Sequence, residues 1–198
     1  NNNPPVSNGV YPNISINTTG LIALYHFNNE SNLGENNSLF HDFSPDVNNI
    51  KSNNSNGTCS RKERCPNYNF TDKVYGNYSL GFDGSENLVN ITSSLSHFNT
   101  GNGTVSMWLK LNPTVSDTKT ILNIRTDGNN EIEIGDFDGN SALNLRFKYR
   151  TLTVNTITVT DNETNWRHIA MTWDVAADEF KAYVDGSQVG STQTSIGA

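Results

Sequence analysis

From Gly20 onward, short runs of the chain alternate apolar and polar residues with a period of two. TVSMWLKL (104–111) sets Val105, Met107 and Leu109 against Ser106, Trp108 and Lys110. KTILNIR (119–125), EIEI (131–134), ALNLRFKY (142–149) and LTVNTITVT (152–160) follow, then WRHIAMTWD (166–174) and EFKAYVDG (179–186). An earlier run, LIALYHF (21–27), is apolar and bounded by Gly20 and Asn28. Each run has the length and patterning of a β-strand. Turn sequences separate them: DGNN at 127, DFDGN at 136, DNETN at 161, DVAAD at 174 and DGS at 185. No stretch of ten residues or more carries a 3.6-residue apolar stripe. Many strands at this spacing without helices predict an all-β antiparallel sandwich or barrel.

Two regions fall outside the pattern. Residues 1–19, rich in Asn, Pro and Ser, read as an extended arm or linker ahead of a domain over 20–198. Residues 28–75 are long, polar and loop-rich, and a loop of that length is usually functional or tied down by a cross-link or a cation.

Composition narrows the function. The 198 residues are enough to bury a core without metals. The net charge of −7 argues against nucleic acid and anionic membrane surfaces, which call for basic patches. No run approaches the ~20 apolar residues of a membrane span. No leader segment is recognisable, so a mature or excised form is expected. Asparagine, at 32 residues, supplies most of the polarity.

Two features bear on the compartment. Asn-X-Ser/Thr occurs at Asn13, Asn17, Asn29, Asn36, Asn53, Asn56, Asn69, Asn77, Asn90, Asn102 and Asn162. Roughly six such sequons are expected by chance at this composition. Cys59 and Cys65 flank SRKER, with no His or further Cys beside them to complete a four-ligand metal site. They are read as a small disulfide that pins a loop. Both features favour an extracellular or cell-surface setting.

Five segments occur in a telling order: GLIALYHFNNES, LFHDFSPDVNNIKSN, GNYSLGFDGSENLVNI, GTVSMWLKLNP and WRHIAMTWDVAADEFKAYVDG. Together they resemble a laminin-G-like domain of the concanavalin A-like lectin/glucanase superfamily, over residues 20 to about 190. The second segment departs from the family's D-x-S-G-N-G-N-x-G, because both glycines are replaced across Asp42 to Asn49. The resemblance implies a two-sheet antiparallel jelly-roll sandwich, usually non-catalytic, often with calcium. It also implies a closing strand beside the first one. None is visible after GSTQTSIGA, so either the chain is cut short or that strand is donated, by the N-terminal arm or by another subunit.

Candidate sites follow. Calcium takes six to eight oxygen ligands. Asp42, Asp46, Asn48 and Asn49 crowd one loop, and the resemblance places Asp83 nearby; ordinary Asx-turns are the competing explanation. Asp136 and Asp138 form a second acidic turn that lacks the later glutamate of a calcium loop. Alternation puts Ile169, Met171 and Trp173 on a core face and Trp166 and His168 on the other, as a candidate stacking platform. Asp185-Gly186 reads as a structural hairpin turn. Superfamily glucanases carry E-x-D-x-E on one strand. Here Glu131 and Glu133 share a face about 6.5–7 Å apart, but position 135 is glycine. The two glutamates are therefore expected to be solvated surface rather than a catalytic pair.

The expected function is a non-catalytic recognition or adhesion module for a carbohydrate or cell-surface glycoprotein, with calcium as its cofactor. The alternative is a structural spacer or filament subunit that self-assembles by strand donation.

Overall fold

A computed structural model describes residues 21–36, 38–42, 44, 57–59, 64–91, 100–111, 119–125, 129–136, 144–151, 153–160 and 164–197. The arm at 1–19, the sequons at Asn13, Asn17, Asn53, Asn56 and Asn162, and Asp46, Asn48, Asn49 and Asp138 lie outside them. The chain divides into two compact units, residues 1–98 and 99–198.

Among the described residues the first unit contains one 3-10 turn, Ser31–Leu33, and two small ladders. Strand β1 (Leu39–Phe40) pairs with β2 (Gly57–Thr58), and β3 (Asn67–Asn69) pairs with β4 (Ser79–Gly81). The Cys59–Cys65 disulfide is formed, with Cα atoms 5.5 Å apart. It is buried beside Phe40, and Tyr25, Phe27, Tyr68, Leu80 and Val89 pack around that cluster. Residues 21–27, expected as a strand, join no ladder among the described residues. Their main chain is held by side chains instead. Leu24 N–H donates to Asp42 Oδ1 at 2.9 Å, and Ser44 Oγ donates to the Ile22 carbonyl at 3.2 Å. Phe27 and Asn29 take positive φ values of 56° and 55°, which end any extension.

The second unit is all-β and antiparallel. Its strands are β5 (Asn102–Leu109), β6 (Lys119–Arg125), β7 (Glu131–Asp136), β8 (Asn144–Arg150), β9 (Val154–Thr160), β10 (Arg167–Asp174), β11 (Glu179–Val184) and β12 (Ser187–Gln193). They form two open sheets, ordered β12-β11-β10-β5 and β6-β7-β8-β9. Seven of the eight match the predicted runs within two residues at each end. β7 extends its run by two residues, and β12 was not foreseen. Its sequence, SQVGSTQ, has one apolar residue and no alternation, so pairing with β11 makes it a strand.

The core lies between the sheets, as period two requires. One sheet supplies Ile132, Ile134, Leu145, Phe147, Tyr149 and Ile157, and the other Ile169, Met171, Trp173, Phe180, Ala182 and Val184, all buried. The Tyr149 ring stacks on Trp173 and tilts against Phe180, with both centroid distances 6.1 Å. Its hydroxyl donates to the Thr100 carbonyl at 2.5 Å, and burial raises its pKa. Asp185 and Gly186 both take positive φ, 48° and 79°, as the predicted tight hairpin demands. Gly103 faces Trp173 so closely that a Cβ there would stand 2.3 Å from the indole.

Two stability outcomes follow. Gly103→Ala is expected to destabilise the protein by about 1–3 kcal/mol through overpacking, read by urea unfolding followed with tryptophan fluorescence. Replacing both cysteines by serine should cost about 2–3 kcal/mol, the loop-entropy value for so short a bridge. A midpoint unchanged from the parent in either variant contradicts the packing described.

Candidate functional site

The outer face of β5 and β10 carries an aromatic pair, an exposed Trp108 against a half-buried His168. His168 lies directly opposite Trp108 in the ladder. Their rings meet edge to face at 5.4 Å, and Trp108 is 43% exposed. The same face continues with Ser106 opposite Ala170, which is paired in turn with Tyr183, and with Thr104 opposite Thr172, which is paired with Lys181. An aromatic plane thus stands beside short polar groups on a rigid sheet. His168 is fixed by its main chain: its N–H donates to Asp185 Oδ1 at 2.8 Å, and its carbonyl accepts from Asp185 N–H at 2.7 Å. Asp185 also pairs with Arg167 at 2.6 Å. Trp166, the other predicted platform residue, precedes β10 and is half-buried. Trp108 was missing from the expected platform, although parity had set it on the polar side of its strand. Finding it as His168's partner required a register between strands some sixty residues apart.

The outer face of β6–β9 holds the carboxylates. Glu131 and Glu133 are buried, at 4% and 7% exposure, which corrects the expectation of solvated side chains. The cause is the facing strand. Register sets Glu131 against Arg150, Glu133 against Lys148 and Gly135 against Arg146. Lys148 Nζ bridges both glutamates, 2.6 Å from Glu131 Oε2 and 2.9 Å from Glu133 Oε2. Glu131 Oε1 accepts from Arg125 at 2.6 Å and Asn123 at 2.7 Å. The Lys148 hydrogen bond, against the opposing effect of burial and with help from Asn123 and Arg125, lowers the Glu131 pKa to about 2. Burial alone would lower the Lys148 pKa, but the hydrogen bonds it donates to both glutamates raise it. A general acid must hold a proton near neutral pH; here Glu131 is kept ionised and tied to cations.

The predicted calcium set is placed in part. Asp42 is 1% exposed, and its Oδ1 accepts two main-chain N–H groups, Leu24 and Ser44, each at 2.9 Å. Asp83 is exposed and caps its own turn, with Oδ1 accepting Ser85 N–H at 2.9 Å. That hydrogen bond, first among several from the main chain, lowers its pKa. Among the described residues no group of three or more His, Cys, Asp or Glu is arranged to hold a metal ion. Asp42 and Asp83 therefore act as acceptors for the main chain and do not by themselves make a cation cage.

Two buried carboxylates, Glu30 and Glu35, were not among the sequence candidates. Glu35 accepts Glu30 N–H at 2.7 Å and His41 N–H at 3.0 Å, stapling the loop that leads into β1. Burial lowers the His26 pKa, against a raising effect of Glu35, while burial and Glu35 both raise that of Tyr68.

The sheet order and inward faces define a lectin-type β-sandwich. A family model described as the concanavalin A-like lectin/glucanases superfamily matches residues 83–197, and the chain belongs to that superfamily, in its laminin-G-like part. Neither a curated protein nor a solved structure gives a significant match. Among the described residues no helix is long and apolar enough to cross a membrane.

The bridged pair sets an acid response. The Glu131 pKa lies below its ordinary 4.5, so its stabilisation is complete above that value and is lost as pH falls toward 2. Lys148→Met should cost about 3–5 kcal/mol at pH 7, because two buried carboxylates lose their shared cation. Urea titrations at pH 7 and pH 3 check both points: the difference between parent and variant should shrink at the lower pH.

Proposed function

We propose that the protein is a non-catalytic, extracellular or cell-surface recognition module that binds a neutral glycan or the glycan of a glycoprotein. The observation that carries this reading is the exposed Trp108 ring, set against the half-buried His168 on the sheet face and flanked by hydroxyl-bearing side chains. A pyranose ring offers an apolar C–H face and a polar rim. An aromatic plane with a polar tip nearby suits both. The disulfide supports an oxidising compartment. The Lys148-bridged glutamates support a non-catalytic role, since they are held as ion-pair partners rather than poised as acid and nucleophile.

Calcium belongs to the proposal as a ligand of the 42–49 loop, on the strength of that loop's oxygen-rich sequence. A second reading, a structural spacer or self-assembling subunit, is favoured by residues 21–27, an apolar segment that joins no ladder among the described residues.

A glycan array run in calcium and again in EDTA tests the proposal. Binding to a narrow set of neutral glycans is expected, and Trp108→Ala should weaken it about ten-fold or more, a loss of ~1.4 kcal/mol, with the unfolding midpoint preserved. Loss of binding in EDTA supports calcium in the loop, and retention removes it. Absence of binding in both conditions overturns the glycan reading in favour of the structural one, which sedimentation of the intact protein then examines.

A further inference from the structure

The β3–β4 hairpin leaves two large rings in water. Phe70 is 67% exposed and Phe82 is 55% exposed. Both line one shallow cleft of about 320 Å³, together with Asn67, Tyr68, Asn69 and Asp83. A single exposed ring on a surface needs no explanation, but two lining one cleft suggest that something covers them.

The cleft contains its own acceptor for that cover. Asn69-Phe70-Thr71 is an N-glycosylation sequon. Asn69 Oδ1 accepts the Thr71 N–H at 2.9 Å, the Thr71 hydroxyl at 2.9 Å and the Asp72 N–H at 3.1 Å. Three hydrogen bonds to one oxygen fix the carboxamide plane, and Nδ2 makes none among the described residues. The sequon at Asn36 has the same bonds from Ser38, but its Nδ2 donates to the Gly34 carbonyl at 3.1 Å. Asn29, half-buried as Asn69 is, takes a left-handed conformation, φ 55°, which Asn69 does not. At Asn69 a held amide nitrogen therefore sits on the wall of a phenyl-lined cleft.

We propose that Asn69 carries an N-linked glycan whose first sugar packs over Phe70 and Phe82, so that the protein's own saccharide covers this surface. The proposal rests on the extracellular half of the functional reading and not on Trp108. The donor is an activated sugar phosphate, used by a cellular transferase. The bond from Nδ2 to the sugar C1 forms, the C1–O bond to phosphate breaks, the phosphate leaves with the electron pair, and Nδ2 loses one proton. The apolar C–H face of the ring then lies against the phenyl groups, and its hydroxyls face Asn67 and the water outside.

Glycopeptide mapping of the full chain, purified from cells that glycosylate secreted proteins, is combined with hydroxyl-radical footprinting before and after enzymatic removal of the glycan. Asn69 is expected to be occupied. Removal should raise labelling of Phe70 and Phe82 severalfold while Tyr75, 56% exposed, stays constant. Thr71→Ser should retain the glycan and Thr71→Ala should lose it; the enzymatic arm needs no substitution and keeps the test valid if Thr71→Ala fails to fold. Occupied sequons elsewhere with a bare Asn69 overturn the proposal and leave the extracellular reading standing. Bare sequons throughout overturn both. Unchanged labelling of Phe82 overturns the packing. Binding of free saccharide that is abolished by Phe82→Ala makes the cleft a site for an outside ligand instead.

Discussion

The second unit is organised around one aromatic ring. Tyr149 leaves β8 on the inward face, stacks on Trp173 of β10, leans on Phe180 of β11, and hydrogen-bonds the Thr100 carbonyl just ahead of β5. One side chain thus links both sheets and the entry to an edge strand. Its hydroxyl is satisfied by the main chain, so the burial of a large ring is not offset by an orphaned polar group. With Tyr149 in place the register of β8 is settled, and Arg146, Lys148 and Arg150 must point outward. The ion-pair face is a consequence of the aromatic core behind it.

The two outer faces then diverge. On β6–β9 the two carboxylates are tied to Arg125 and Lys148, and what remains is a polar, ion-paired surface. On β5 and β10 the ring of Trp108 stays open to water. In a fold where both sheets turn apolar side chains inward, an aromatic on the outside adds nothing to the core. That difference, more than the superfamily assignment, is why the proposed recognition surface is placed on β5 and β10.

Much of this was legible in the sequence, and what was not has physical causes. Period two exposed the β5–β11 runs and the core triplet Ile169, Met171 and Trp173, because a half-buried strand must alternate. Asp185-Gly186 was readable because both residues tolerate a left-handed backbone. The polar strand β12 was hidden, since its partner rather than its own residues makes it a strand. Residues 21–27 misled in the opposite sense: they have strand-forming side chains, but Asp42 and Ser44 engage the main chain at Leu24 and Ile22. The buried state of Glu131 and Glu133 could have been inferred by setting EIEIGD against NLRFKYR as a hairpin, which brings acid to base at two consecutive outward positions. Trp108 beside His168 could not, because no local rule sets the register of strands so far apart in the chain.

The irregularity of β12 has a bearing on how the molecule behaves in company. Its pairing with β11 slips between Phe180 and Ala182, Gly190 turns to φ 65°, and its residues are nearly all polar. A Cβ at Gly190 would approach Ile157 to 2.7 Å, so the local bend is enforced by packing rather than optional. A bent, hydrophilic margin is a poor template for another chain's backbone. A crowded solution of this protein should therefore be spared cross-β growth along that rim, a form of protection that comes from the strand's unfitness as a strand.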